Sequence, residues 1–320
     1  MFILGFLTLS LMSSYGLSMT ITSEWLLEPK KVIRVGLVGF GKTGKAVATV
    51  LLKDPKVRLE WVVRKSHQLE HRTVPEFLGI DSGEPGTIYS SSEFSAAELL
   101  DKYPVDAIID FSSEDGVDFY GQAAADKGVA IVSAISAYPN SQIRLLKKLS
   151  AHTKILWSPN ITLGINFMIL AAKTLKFIAP FTDIEIVEEH FKLKPETSGT
   201  AIQISNALEL EPENIKSIRA GGIIGVHEII FGFPFQTVRL KHESISREAF
   251  GDGAKFAVEE LVKQENGFYS MEQMLGPYFI DSNKEFMPKS QAPKLSLGKR
   301  VSLKLTQGFN SLLNRRMGGK

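Results

Sequence analysis

The chain has 320 residues, 44% apolar and 22% charged, with a formal net charge of +2, a globular composition long enough for two hydrophobic cores. It contains no cysteine, which excludes disulfides, thiolate nucleophiles, Cys-ligated zinc and iron–sulfur clusters. Its chemistry must therefore come from oxygen and nitrogen groups or a bound cofactor. The charge is uneven: residues 287–320 carry eight Lys or Arg and no Asp or Glu, so 29 basic residues face 35 acidic ones elsewhere. An acidic body without a basic, aromatic-studded face argues against nucleic acid as a partner. The basic tail reads as a solvated extension or as a contact for an anionic surface or nucleic acid.

Residues 1–30 read as an N-terminal extension. Met1 to Met12 is almost wholly apolar, yet it lacks the positive start of a secretory signal and is too short to span a bilayer. A true start at Met19, a weak targeting segment and an anchoring helix stand as alternatives. Nothing later reads as a membrane span, so no membrane partner and a cytoplasmic location are expected.

From Lys31 the chain alternates apolar runs with helical patterns, as an α/β domain with a parallel sheet does. Val32 to Val38 is a β-branched run bounded by Gly39. Lys42 to Leu52 then places Ala46, Val47, Val50 and Leu51 at helical spacing. Asp54-Pro55 ends that helix, and Val57 to Val63 makes a second strand. Ala107 to Phe111, Ala130 to Ser133 and Ile155 to Trp157 read as further strands, each ending in small polar residues. In open α/β sheets ligands collect outside such carboxyl ends.

After Asn160 the pattern predicts a long helix over Leu163 to Ile178, a strand over Asp183 to Glu189, and β-like alternation from Ile218 to His242. Phe250 to Val262 reads as an amphipathic helix. The expected organisation is α/β: a Rossmann-like parallel-sheet domain over 31–159, with 247–276 returning to it, and an α+β substrate-binding and oligomerisation domain over 160–246. A basic extension over 277–320 follows.

Gly39, Gly41 and Gly44 form G-x-G-x-x-G between a strand and a helix. Each glycine has a task there: a tight turn, close backbone approach to a pyrophosphate, and contact between helix and strand. With Lys42 and Thr43 they open a helix whose free N–H groups favour an anion. The alternative is a structural glycine turn. About 20 residues on, where an Asp or Glu would hold the ribose of NAD, stand Arg64 and Lys65. Two cations suit a 2′-phosphate, so NADPH is the expected cofactor and NADH a possible one; solvated surface charge is the plainer reading. No metal site is expected.

The stretch Glu188-Glu189-His190-Phe191-Lys192-Leu193-Lys194-Pro195-Glu196-Thr197-Ser198-Gly199-Thr200-Ala201 assembles a proton donor, a cation and an anion-binding turn. A histidine such as His190 can donate a proton, Lys194 can fix a carboxylate, and the N–H groups and hydroxyls of Ser198 to Thr200 can hold the same anion. That combination suits a small dicarboxylate.

This segment resembles the E-x-H-H-x-x-K-x-D-x-P-S-G-T-A signature of the 4-hydroxy-tetrahydrodipicolinate reductases, usually called dihydrodipicolinate reductases. Asp110-Phe111-Ser112 is similar to that family's D-F-T, Ser158 to Asn166 to its A-P-N-F-S-x-G-x-N, and Arg219 to His227 to its R-x-G-x-x-x-G-x-H. The likeness spans about Lys31 to Leu275. It implies a Rossmann domain joined to a substrate and tetramerisation domain, and an NAD(P)H-dependent reduction of 4-hydroxy-tetrahydrodipicolinate to tetrahydrodipicolinate in the diaminopimelate route to lysine. It further implies that His190 donates the proton, Lys194 is the catalytic lysine, and Ser198, Gly199 and Thr200 grip a carboxylate of the cyclic substrate. Phe111 and Ser112 are implied to lie on the cofactor.

Three departures from the family pattern are visible. Phe191 replaces a second histidine, the proline before Ser-Gly-Thr is missing, and Ile135 stands where a threonine should face the substrate carboxylate. They leave open a sister dehydrogenase of another amino or imino acid, and a non-catalytic nucleotide-binding homologue. His227 and His242 are read as structural.

Overall fold

A computed structural model describes residues 32–282; the two terminal extensions read above, apart from 277–282, lie outside them. Among the described residues no helix is long and apolar enough to cross a membrane. The chain divides into a compact unit ending at Gly276 and a second unit from Pro277 onward, and of the second only 277–282 is described.

The first half alternates strand and helix. In order come β1 (Ile33–Val38), α1 (Lys42–Leu51), β2 (Val57–Arg64), α2 (Val74–Leu78), β3 (Thr87–Ser90) and α3 (Ala96–Lys102). Then follow β4 (Ala107–Asp110), α4 (Gly116–Asp126), β5 (Ala130–Ser133), α5 (Asn140–Leu149) and β6 (Lys154–Trp157). After them the pattern changes to α6 (Leu163–Ile178), β7 (Asp183–His190), α7 (Gly199–Ala207), β8 (Ile215–Arg219), β9 (Val226–Gly232) and β10 (Thr237–Glu243). The described chain closes with α8 (Glu248–Leu261), β11 (Gly267–Tyr269) and α9 (Met271–Ser282).

Seven strands form one sheet in the order β11-β6-β5-β4-β1-β2-β3, and each pairing is parallel. The strands are short and apolar on both faces because both faces are covered. Side chains alternate across the sheet: Leu37, Leu59, Ile109 and Val132 enter one core with Val47 and Leu51 of α1 and with Ala257, Val258 and Leu261 of α8. Ile108, Ile131 and Ile155 enter the opposite core with Leu99 of α3, Tyr120 of α4 and Leu146 of α5. Chain order reverses at β1, whose neighbours are β2 and β4, which opens a crevice at their carboxyl ends.

The second sheet has the order β10-β9-β7-β8. The period of two in Asp183–His190 puts Ile184, Ile186, Glu188 and His190 on its buried face. Ile184 and Ile186 meet Ile165, Ile169 and Ala172 of α6, Ile204 of α7, and Ile229 and Phe231 of β9. The other face is left without a helix in this core and carries Val187, Ile218 and Ile230 among charged residues.

Residues 247–276 lie on the first sheet. β11 pairs with β6, and a Cβ at Gly253 of α8 would fall 1.9 Å from the Ile161 carbonyl oxygen. Helix α8 therefore presses on the connection that leads from the parallel sheet into α6.

Candidate active site

The glycine loop takes a tight, crowded form. Gly39 has φ +96°, a conformation that costs an L side chain dearly, and a Cβ there would meet the Phe111 and Ser112 backbone at 2.6–2.7 Å. A Cβ at Gly44 would sit 2.1 Å from the Gly39 carbonyl oxygen. Gly41, by contrast, has nothing within 4 Å of its Cβ position, so an anion can approach the backbone there. The first turn of α1, with Lys42 and Thr43, carries no acidic residue, and its open N–H groups favour a phosphate. This cradle fits a dinucleotide pyrophosphate. Lys42 also lines a cavity of about 450 Å³ with Lys45, Arg247 and Glu248.

At the end of β4 the Asp110 carboxylate is fully buried. Its Oδ1 accepts from Ser112 N at 2.8 Å and Ser112 Oγ at 2.6 Å, and its Oδ2 accepts from the Tyr120 hydroxyl at 2.8 Å. Burial pushes its pKa up against these bonds. The Phe111–Ser112 turn that touches Gly39 is thus held from below. At the end of β2, Arg64 donates to the Gln68 carbonyl at 3.1 Å. Lys65 pairs with Asp115 at 2.6 Å, and together with Ser113 it draws the Asp115 pKa down to about 2.

The second cluster grows from β7, where the buried face changes from Ile184 and Ile186 to Glu188 and His190. Register aligns Glu188 with Ser217 on β8 and His227 on β9, and aligns His227 with His242 on β10. Glu188 has no solvent exposure. Arg219 gives it two bonds, at 3.0 Å to Oε2 and 2.6 Å to Oε1. Ser217 Oγ donates at 2.5 Å, Ser198 N at 3.4 Å, and His190 Nδ1 is hydrogen-bonded to Oε2. Burial alone would raise this carboxyl; the bonds from Arg219, Ser217 and His190 outweigh it and bring the pKa to about 2. Arg219 also reaches the carbonyls of Lys194 at 3.0 Å and Glu196 at 2.9 Å, so one guanidinium fastens the 194–196 loop to the buried carboxylate.

With Nδ1 committed to Glu188, His190 keeps Nε2 for other partners. That nitrogen lies 3.1 Å from where a Gly225 Cβ would be, so a side chain at 225 would crowd it. The His227 ring stands 5.3 Å away at 74°, and His227 Nε2 is 2.8 Å from Ser198 Oγ. Burial, then the neighbouring His190 charge, lowers the His227 pKa to about 4, and Lys194 adds to the effect.

The loop residues separate in role. Ser198 is buried, its N–H and hydroxyl turned toward Glu188 and His227. Gly199 and Thr200 open α7 at the surface, and Thr200 Oγ1 accepts from Asn160 Nδ2 at 2.9 Å. This bond brings α7 to the carboxyl end of β6, on the edge where Gly39 and Phe111 lie. Phe191 is exposed, whereas Ile135 is buried in the core with its carbonyl taken by Trp157 Nε1 at 2.9 Å.

Sequence reasoning had singled out neither Glu188 nor Arg219, Asp110 or Asn160 for a role. Each of the four lies inside a stretch that resembles the family pattern, and Glu188 carries a further signal: a carboxylate two residues before His190 on a strand shares its face.

Residues 33–161 match the family description "Dihydrodipicolinate reductase, N-terminus" and 161–275 "Dihydrodipicolinate reductase, C-terminus". The 4-hydroxy-tetrahydrodipicolinate reductase of Syntrophus aciditrophicus is 30% identical over 268 residues, covering 74% of this chain and 96% of that one. That of Caldanaerobacter subterraneus subsp. tengcongensis is 31% identical over 196 residues, 54% of this chain and 78% of its own. Among solved structures, a dipicolinate-bound dihydrodipicolinate reductase from Paenisporosarcina sp. TG-14 superposes with a TM-score of 0.62 at 20% identity, covering 75% of this chain and 97% of that one.

The low pKa of His227 has a thermodynamic consequence. Its native value of about 4 lies below the ordinary 6.5, so between these values the unfolded chain binds a proton that the native chain does not. The stability this group contributes is complete above about pH 6.5 and is lost as pH falls toward 4. NMR of ring-labelled histidine should show His227 still neutral at pH 5; a midpoint at 6 or above would contradict the burial argument.

Proposed function

The chain belongs to the dihydrodipicolinate reductase family, and from that premise we propose that it reduces 4-hydroxy-tetrahydrodipicolinate to tetrahydrodipicolinate with His190 as proton donor. It is an NAD(P)H-dependent oxidoreductase of the diaminopimelate route to lysine. The observation that carries the residue assignment is the convergence of Glu188, His190, Lys194, Ser198 and His227 at one end of the second sheet, with Asn160 joining it to the first.

When bound, the nicotinamide supplies a hydride to the ring of the substrate. Gly39, Gly41, Lys42, Thr43 and Gly44 would hold its pyrophosphate, and Phe111 and Ser112, braced by Asp110, would border the nicotinamide end. His190 delivers the proton from Nε2, while Glu188 takes its Nδ1–H and fixes the ring. Lys194 sets a positive charge against a substrate carboxylate, and the N–H groups of Gly199 and Thr200 at the head of α7 receive the same anion. Ser198 shapes that loop from within, its N–H on Glu188 and its hydroxyl on His227.

His190→Gln and Lys194→Ala each lower turnover by at least about 10²-fold, the low end for a general acid, while the fluorescence-titrated Kd for NADPH stays at the wild-type value. Full rates in both variants would remove these roles.

We also propose a preference for NADPH, supported by Arg64 and Lys65 at the end of β2. Because Lys65 is drawn to Asp115, Arg64 carries more of the 2′-phosphate contact. Arg64→Ala should raise the KM for NADPH and leave that for NADH nearly unchanged; a wild-type KM for NADH tenfold below that for NADPH contradicts the preference. A homotetramer built through the open face of the second sheet, at Val187, Ile218 and Ile230, is the expected assembly. Light scattering at the monomer mass would overturn it.

A further inference from the structure

The connection from β6 to α6, Ser158 to Asn166, is held by side chains. Ser158 Oγ donates to the Asn160 carbonyl at 2.5 Å, and Asn166 Nδ2 donates to the carbonyls of Asn160 and Thr162, each at 2.8 Å. Asn166 is buried, as is Ser158. The Asn160 main chain therefore has little freedom to follow its own side chain.

The orientation of the Asn160 carboxamide follows from its partners. One of its terminal atoms lies 3.0 Å from Thr162 N and 2.8 Å from Thr162 Oγ1. A backbone N–H can only donate, so that atom is the oxygen. The amide NH₂ is then turned onto Thr200 Oγ1 at 2.9 Å. A hydroxyl has a single proton. By accepting from Asn160, Thr200 keeps its own proton for a third group, and among the described residues no acceptor for it occurs. Thr200 is half-buried and stands in the first turn of α7, where the free backbone N–H groups are donors too. The Thr200 hydroxyl proton and the free N–H groups in the first turn of α7 are thereby left as the donors at this corner.

We propose that Asn160 is a positioning residue that locks the Thr200 hydroxyl as a donor and so makes the head of α7 selective for an ionised carboxylate over a carboxamide of the same shape. The inference rests on the reading of the Ser198–Thr200 turn as the carboxylate loop. A carboxylate presents two acceptor oxygens to these donors, whereas a carboxamide presents one and turns an NH₂ toward them. Asn160 also spans the two sheets, so the selectivity of the substrate turn is set from the nucleotide side.

The test uses the full-length protein with NADPH and dipicolinate as the probe, with affinity read by calorimetry and KM and kcat for the substrate measured alongside. Asn160→Asp replaces the NH₂ with an oxygen; Thr200 must then donate to it and present lone pairs and a nearby negative charge to the ligand. Dipicolinate affinity should fall roughly ten- to hundredfold, the worth of one charge-assisted hydrogen bond. The substrate KM should rise in parallel, kcat at saturation should change less than about threefold, and NADPH affinity should hold. Thr200→Val should give a similar loss with Asn160 intact, and adding Asn160→Ala to Thr200→Val should cost nothing more, because Asn160 acts through Thr200. If Asn160→Asp does not fold, the Thr200→Val pair decides the matter. Wild-type protein that fails to bind dipicolinate overturns the carboxylate-loop reading itself. Wild-type protein that binds it, with affinity unchanged in Asn160→Asp or a further loss on adding Asn160→Ala to Thr200→Val, overturns the role of Asn160 alone.

Discussion

Glu188 carries a charge where water does not reach, and the arrangement of the second cluster follows from what that charge requires. A buried carboxylate is costly unless paired and fully hydrogen-bonded. Arg219 meets both oxygens, Ser217 and Ser198 add N–H and O–H donors, and His190 takes a further position. Breaking such a pair from one side typically costs about 3–5 kcal/mol, so β7, β8 and the loop from Lys194 to Ser198 are held in one geometry. Gly225 then leaves space beside Nε2, and His227, kept neutral by burial, sets no second positive charge against His190.

The first sheet solves a different problem with backbone contacts. Gly44 packs on Gly39, and Gly39 packs on the Phe111–Ser112 turn, so the ends of β1 and β4 approach more closely than side chains would permit. Asp110 fixes that turn without a cation, through Ser112 and Tyr120. The two sheets meet at the Asn160–Thr200 bond. The glycine loop and the head of α7 thus lie along one edge, as the proposed hydride transfer between a nicotinamide and a small diacid requires.

Long periodic segments were legible from sequence: the helix over Leu163–Ile178 matches residue for residue, and the strands at 57–64 and 183–190 fall within one residue of their expected bounds. Strands β3 and β11, of four and three residues, carry too few alternations to stand out from loops. Helix α4 contains Gly116 and Gly121 and lacks a side-chain cap, so neither propensity nor capping marked it. At the site, the candidate chemical groups and the residues that hold them all fall within motifs, whereas the pairing between those motifs was not legible. Arg219 lies 31 residues from Glu188 and Asn160 lies 40 from Thr200; only the pairing of β7 with β8 and the fold of the β6–α6 connection bring them together. Ile135 shows the converse, since a residue expected near the substrate is packed into the core, and its identity bears on packing.

As proton donor, His190 must face the same ring that receives the hydride. A crystal structure of the chain with NADPH and dipicolinate measures this directly. His190 Nε2 is expected within roughly 3–4 Å of the dipicolinate ring, with one carboxylate on Gly199, Thr200 and Lys194 and the nicotinamide on the opposite face. A ligand bound elsewhere, or an imidazole turned away with Nε2 sealed against Gly225, would contradict it.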